Sequence, residues 1–268
     1  MLKKLSNFPG IKGPVVTIVM DGFGITDKVE GNAIKAARTP TLDNLFKMYP
    51  NVLLKAHGRA VGMPTNEDMG NSEVGHNAIG AGQVYNQGAA LVRDSIVSGE
   101  IFGRDAWKEI AGNAREKNSV LHFIGLFSDG NVHSNISHLK AMVAQAKKEG
   151  LKKVRVHILL DGRDVPETSA LDYVGPFEKF LDELRSPEFD VCIASGGGRM
   201  QITMDRYNAN WKMVELGWKT HVLGEGRYFD NATQAIETLR GETKAIDQDL
   251  PPFVIAKDGQ PVGTINDG

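Results

Sequence analysis

Short runs of β-branched and aliphatic residues alternate along the chain with longer stretches in which apolar side chains recur every three or four positions. That alternation predicts strands covered by helices, hence an α/β fold on a mainly parallel sheet. The predicted strands are Val15 to Met20, Val52 to Ala56, Val120 to Leu126, Val154 to Leu160 and Val191 to Ala194, each followed by glycine, aspartate or polar residues. Between the third and fourth, Ile136, Leu139, Val143 and Ala146 fall on one helical face. Ser134 is the expected N-cap of that helix, and Lys147 and Lys148 sit near its end, where cations suit the dipole. The Gly-rich stretch Gly80-Ala81-Gly82-Gln83 gives way between Tyr85 and Ala90 to a new helix beginning around Leu91. A boundary is expected there, dividing residues 1–86 from 87–268. No internal repeat or low-complexity segment interrupts the pattern. The stretch from Pro261 to Gly268 reads as an element in progress, so the chain is expected to be part of a longer one.

Charge narrows the partners. Across 268 residues, 31 Lys and Arg face 33 Asp and Glu, a formal net charge of −2. No basic excess or polybasic tract is present to neutralise a nucleic-acid backbone or an anionic membrane, so neither is expected as a partner. The run Val15 to Met20 is far too short to cross a bilayer, and Asp21 ends it where a signal peptide would continue. The single cysteine, Cys192, lies in the run Asp190-Val191-Cys192-Ile193-Ala194 and is expected to be a buried, inert thiol in a reducing compartment such as the cytoplasm. No heptad or large apolar surface run demands a second subunit, and a monomer is expected.

Five segments could carry chemistry. Met20-Asp21-Gly22-Phe23-Gly24 puts a carboxylate and two glycines at a strand exit, the edge where open α/β sheets collect ligands, although taken alone a plain Asp-Gly turn is the favoured explanation. Glu67-Asp68-Met69-Gly70-Asn71-Ser72-Glu73-Val74-Gly75-His76-Asn77 places a serine where a helix begins, and helix N-termini attract phosphoryl groups. The bland alternative is that Ser72 or Asn71 only caps that helix. A serine nucleophile needs a base or a metal, and Asp21 could help to hold the cation. Phe127-Ser128-Asp129-Gly130-Asn131-Val132-His133-Ser134 and Leu160-Asp161-Gly162-Arg163-Asp164-Val165-Pro166 are two more strand exits. His133 and His138, five apart, make no zinc signature, and an exposed Arg-Asp pair is by itself uninformative. Gly196-Gly197-Gly198-Arg199-Met200, followed by Met204-Asp205-Arg206-Tyr207, resembles a phosphate loop without matching either nucleotide motif. Arg199 and Arg206 supply planar forks suited to carboxylate or phosphate.

Taken in order, these segments closely resemble the cofactor-independent phosphoglycerate mutases, two-domain metalloenzymes that need no bisphosphoglycerate primer. The likeness runs over essentially the whole chain, and Gln201-Ile202-Thr203 is more similar to the plant and protist branch. It implies an alkaline-phosphatase-like metal domain, represented by residues 1–86, and an inserted α/β transferase domain in residues 87–268. It further implies that Ser72 takes the phosphoryl group of phosphoglycerate as a phosphoserine and returns it to the other hydroxyl. Asp21 and Ser72 match ligands of one of two divalent ions, manganese first, with magnesium or cobalt in some members. Asp164 resembles the general acid/base, and His133, Arg163, Asp164, Arg199 and Arg206 the residues that grip the substrate. By the same resemblance the remaining metal ligands, two further arginines and a lysine lie beyond Gly268. The 268 residues alone are therefore expected to bind phosphoglycerate weakly and catalyse nothing. A phosphatase of the same superfamily is the other enzymatic possibility.

Overall fold

A computed structural model of the chain describes residues 6–20, 23–203 and 210–266. Its elements run α1 Ala33–Ala36, α2 Pro40–Met48, α3 Ser72–Ala81, α4 Gly88–Ser98, α5 Asp105–Glu116, β1 Val120–Phe127, α6 Ile136–Lys148 and β2 Lys153–Leu160. There follow α7 Ala170–Leu184, β3 Asp190–Gly198, α8 Arg199–Ile202, α9 Trp211–Trp218, β4 Tyr228–Phe229, α10 Ala232–Thr243, β5 Phe253–Lys257 and β6 Gln260–Pro261. The chain separates into two compact units, Met1–Lys55 and Ala56–Gly268.

The larger unit is built on one sheet in the order β1-β2-β3-β5-β4, with β6 paired to β5. β1, β2 and β3 are mutually parallel; β5 runs antiparallel to β3 and parallel to β4. The predicted mainly parallel α/β sheet is thus present. In β2, Val154, Val156, Ile158 and Leu160 alternate with Arg155, His157 and Leu159, and all seven are buried, as expected of an interior strand covered on both faces. Trp107 and Ala111 of α5, Val143 and Ala146 of α6, Phe177 and Leu181 of α7 and Ile236 and Leu239 of α10 complete the core. Phe177 meets Phe127 edge to face at 5.0 Å.

Three expectations are corrected. Val15 to Met20 and Val52 to Ala56 are not strands among the described residues. A strand is a property of a hydrogen-bonded pair, and these apolar segments pair with nothing described; Ile18 is 81% exposed and Leu54 79%. The N-cap of α6 is Asn135, not Ser134: the Ser134 hydroxyl donates to the Leu126 carbonyl, while Asn135 Oδ1 accepts from the Ser137 N–H. Cys192 is half-buried; burial still pushes its thiol pKa up.

The three glycines of the fifth segment end β3, and all are buried. A Cβ at Gly196 would meet Phe253 Cζ at 2.5 Å, and one at Gly198 would stand 2.3 Å from the Gln248 carbonyl oxygen. They are packing glycines that let β5 and the Gln248 backbone approach, and they deliver Arg199 to the end of the strand.

A buried polar chain crosses the sheet behind this core. His122 Nδ1 of β1 lies 2.9 Å from His157 Nε2 of β2, His157 Nδ1 2.6 Å from Ser195 Oγ of β3, and that oxygen 2.7 Å from His221 Nδ1. Burial, then the neighbouring charges of His221, His122 and Arg155, lowers the His157 pKa to about 3; burial lowers that of His221 to about 4. Both folded values lie below the ordinary 6.5, so between them the unfolded chain binds more protons. The stabilisation from neutral histidines is complete above pH 6.5 and is lost as pH falls toward 4 and 3. At pH 5 each histidine is expected to cost about 2 kcal/mol relative to pH 7.5. Urea midpoints of the chain at the two pH values check this, and His157→Gln is expected to flatten the dependence.

Candidate active site

Parallel strands bring their C-terminal ends to one edge, so the residues after β1, β2 and β3 are neighbours although 33 to 38 positions separate them in sequence. Ser128 leaves β1, Asp161 leaves β2 and Arg199 leaves β3. The Ser128 hydroxyl donates to Asp161 Oδ2 at 2.5 Å, and Arg199 Nη1 donates to Asp161 Oδ1 at 2.8 Å and to Asp164 Oδ2 at 2.9 Å. Gly162, at φ +62°, turns the chain so that the N–H groups of Arg163 and Asp164 donate back to Asp161 Oδ1. Burial pushes the Asp161 pKa up, but the hydrogen bonds from Ser128, Asp164 N–H, Arg199 and Arg163 N–H outweigh it and hold the carboxyl below its ordinary value.

Arg199 is 2% exposed, and its Nε is buried without a partner among the described residues. Such a donor is costly unless an acceptor reaches it. His133 Nε2 stands 3.9 Å from the same Asp164 oxygen that Arg199 bonds, with half of its side chain open to solvent. Arg163 is exposed, and its guanidinium has no ion pair among the described residues. The site therefore holds a buried guanidinium between two carboxylates, with the half-open imidazole of His133 near one of them.

The serine segment reaches this loop through Asp68, whose Oδ1 accepts from Asn131 Nδ2 at 2.8 Å and whose Oδ2 accepts from the Thr65 N–H. Asn131 holds a left-handed conformation at φ 58°, and its Oδ1 accepts from Asn135, the cap of α6. Ser72 is the exposed first residue of α3 and Asn71 the N-cap, its Oδ1 accepting from Val74 N–H at 2.9 Å. His76 Nδ1 lies 2.7 Å from the Ser72 carbonyl oxygen and 3.2 Å from Ser72 Oγ. A carbonyl only accepts, so Nδ1 carries the proton and cannot accept one from the hydroxyl. In this arrangement His76 is not the base of Ser72.

The structure thus brings His133, Asp164 and Arg199 together, leaves Arg163 exposed on the turn beside Asp164, and ties the Ser72 segment to their loop through Asp68. Asp21 and Arg206 lie outside the described residues. No three His, Cys, Asp or Glu side chains among the described residues gather to hold a metal ion. The described residues alone do not fit a divalent-ion site. Ser128, Asp161 and Asp68 lie inside the sequence motifs, where nothing local marks a role for them. Asp129 is a fourth, accepting from the Tyr173 hydroxyl at 2.7 Å; burial and that bond raise the phenol to about 12. Position after a buried strand was the available signal for Ser128 and Asp161.

Comparison with known proteins gives a consistent result. The family model described as BPG-independent PGAM N-terminus matches residues 92–268. A probable 2,3-bisphosphoglycerate-independent phosphoglycerate mutase of Leptospira interrogans is 59% identical over 257 residues, which are 95% of this chain and 47% of the relative. The 2,3-bisphosphoglycerate-independent phosphoglycerate mutase of Trypanosoma brucei brucei is 49% identical over 259 residues, again 95% of this chain and 47% of the relative. The chain spans about half the length of the curated relatives it matches. Leishmania mexicana phosphoglycerate mutase, crystallised at low cobalt concentration, superimposes with a TM-score of 0.86 at 47% identity, covering 93% of this chain and 46% of that one.

Proposed function

The chain belongs to the family of BPG-independent phosphoglycerate mutases, and on that premise we propose that a polypeptide of the relatives' full length carrying these residues, hereafter the full-length enzyme, interconverts 3-phosphoglycerate and 2-phosphoglycerate. The observation that carries the proposal is the cluster of Arg199, Asp161 and Asp164 at the carboxyl edge of the sheet, with the buried Nε of Arg199 lacking an acceptor among the described residues. A small anion supplies that acceptor.

In this reading Ser72 attacks phosphorus: the Ser72 Oγ–P bond forms as the bond from phosphorus to the glycerate oxygen breaks. Ser72 attacks as the alkoxide, its proton having passed to solvent, and Asp164 gives a proton to the glycerate oxygen as it leaves phosphorus. The substrate then turns, its other hydroxyl attacks the phosphoserine, and Asp164 takes the proton back. Arg163 and His133 meet the carboxylate from the open side, Arg199 keeps Asp164 in place and offers Nε, and Arg206 joins the grip. Because His76 donates to a carbonyl, activation of Ser72 comes from outside α3.

The proposal extends to the architecture: residues 1–86 as part of an alkaline-phosphatase-like domain and 87–268 as an inserted transferase domain. A requirement for two divalent ions, manganese or else magnesium or cobalt, with Asp21 and Ser72 among the ligands, belongs to the full-length enzyme, as do a cytoplasmic location and a monomeric state. The isolated chain is proposed to be inactive. No helix among the described residues is long and apolar enough to cross a membrane. Incubating full-length enzyme with 3-phosphoglycerate, with no bisphosphoglycerate added, tests the proposal. The 2-isomer is expected, and chelation of divalent ions is expected to stop its formation; release of inorganic phosphate without isomerisation would make the protein a phosphatase.

A further inference from the structure

We infer that Asp161 is a positioning residue of the transfer site, holding Arg199 and the Asp164 turn in register while never meeting the substrate itself. The inference rests on the mutase reading and gives a role to a residue that the reading counts in the cluster without assigning it one. The side chain of Asp161 is 1% exposed, and both of its oxygens are already bonded within the protein. These oxygens take four hydrogen bonds, three on Oδ1 and one on Oδ2. The donors come from all three parallel strand exits: Ser128 after β1, the backbone of Arg163 and Asp164 after β2, and Arg199 after β3. One carboxylate therefore fixes the loop that carries His133, the turn that carries Arg163 and Asp164, and the guanidinium that bonds Asp164.

The plain alternative is that Asp161 only satisfies its own turn. That would account for the two N–H groups. It would not account for Oδ1 also taking Arg199 Nη1, the nitrogen that bonds Asp164, or for Oδ2 reaching across to another strand exit.

Two substitutions in the full-length enzyme separate position from fold. In Asp161→Asn the amide oxygen can keep the three bonds to Oδ1, while its nitrogen donates to Ser128, whose hydroxyl turns to accept. Asp161→Ala loses all four. We expect kcat/KM of the asparagine variant to stay within about ten-fold of wild type and that of the alanine variant to fall about 100-fold or more, mostly in kcat because Asp164 is the group displaced. A purely structural role would lower the melting temperature while leaving both constants of the folded fraction unchanged. Should Asp161→Ala fail to fold, Ser128→Ala stands in for it: it frees one oxygen and is expected to reduce kcat about five-fold. The positioning role is overturned by a folded alanine variant, or in its place a Ser128→Ala enzyme, with wild-type kcat, and equally by an asparagine variant as impaired as alanine. An inactive wild-type enzyme, or a Ser72→Ala enzyme that turns over normally, would overturn the mutase reading itself and this inference with it.

Discussion

Replacing Ser72 by alanine in the full-length enzyme is expected to abolish phosphoryl transfer, with a loss in kcat of at least about 10³-fold, because the proposed nucleophile is removed. The structure makes this variant clean. Asn71, not Ser72, caps α3, and Ser72 is exposed at the first helical position, where alanine is a good helix former. Losing the hydroxyl removes only its long contact to His76, whose Nδ1 remains bonded to the position 72 carbonyl. Stability is expected to change by less than about 0.5 kcal/mol. Steady-state kinetics beside a thermal melt check both halves, and a variant with substantial turnover would remove Ser72 from the chemistry.

Arg199→Ala is expected to have the largest combined effect on stability and activity. It leaves Asp161 and Asp164, with side chains 1% and 11% exposed, facing one another without the guanidinium between them. Removing one partner of a buried ionic group is expected to cost about 3–5 kcal/mol, and transfer to fall at least about 100-fold as Asp164 swings away. Arg199→Lys keeps the charge on a side chain one bond shorter, so it is expected to recover part of the stability and little of the activity. Urea denaturation and kcat/KM of both variants are the measurements. An alanine variant within about 1 kcal/mol of wild type would show that the cluster is not charge-balanced by Arg199.

Why some of this was legible in sequence and some was not follows from the range of the forces involved. β1, β2 and β3 were readable because their apolar runs pair with neighbours of the same kind. Val15 to Met20 carries the same signature and forms no strand, because an apolar run reports a capacity for pairing and not the pair. The antiparallel insertion of β5 between β3 and β4 has no local signal at all. The helix beginning at Ser72 was visible in its polar start, yet which residue caps it depended on side-chain direction, as it did for Ser134 and Asn135. In the site, the strand exits pointed to the segments that hold Asp164, Arg199 and His133, and the resemblance supplied the roles expected of them. Asp161 escaped a role since its importance lies in burial and in donors 33 and 38 residues away, which no local pattern records. Three glycines before Arg199 suggested a phosphate cradle, and the contacts of Gly196 and Gly198 show close packing instead.

The most direct test of the account is to quench the full-length enzyme in acid during turnover of phosphoglycerate and to locate the covalent phosphate by peptide mass spectrometry. The account predicts one phosphoryl group on the peptide that contains Ser72, absent from the Ser72→Ala enzyme. Phosphate on a different residue, or turnover with no phosphorylated peptide under conditions that trap a phosphoserine, would contradict it.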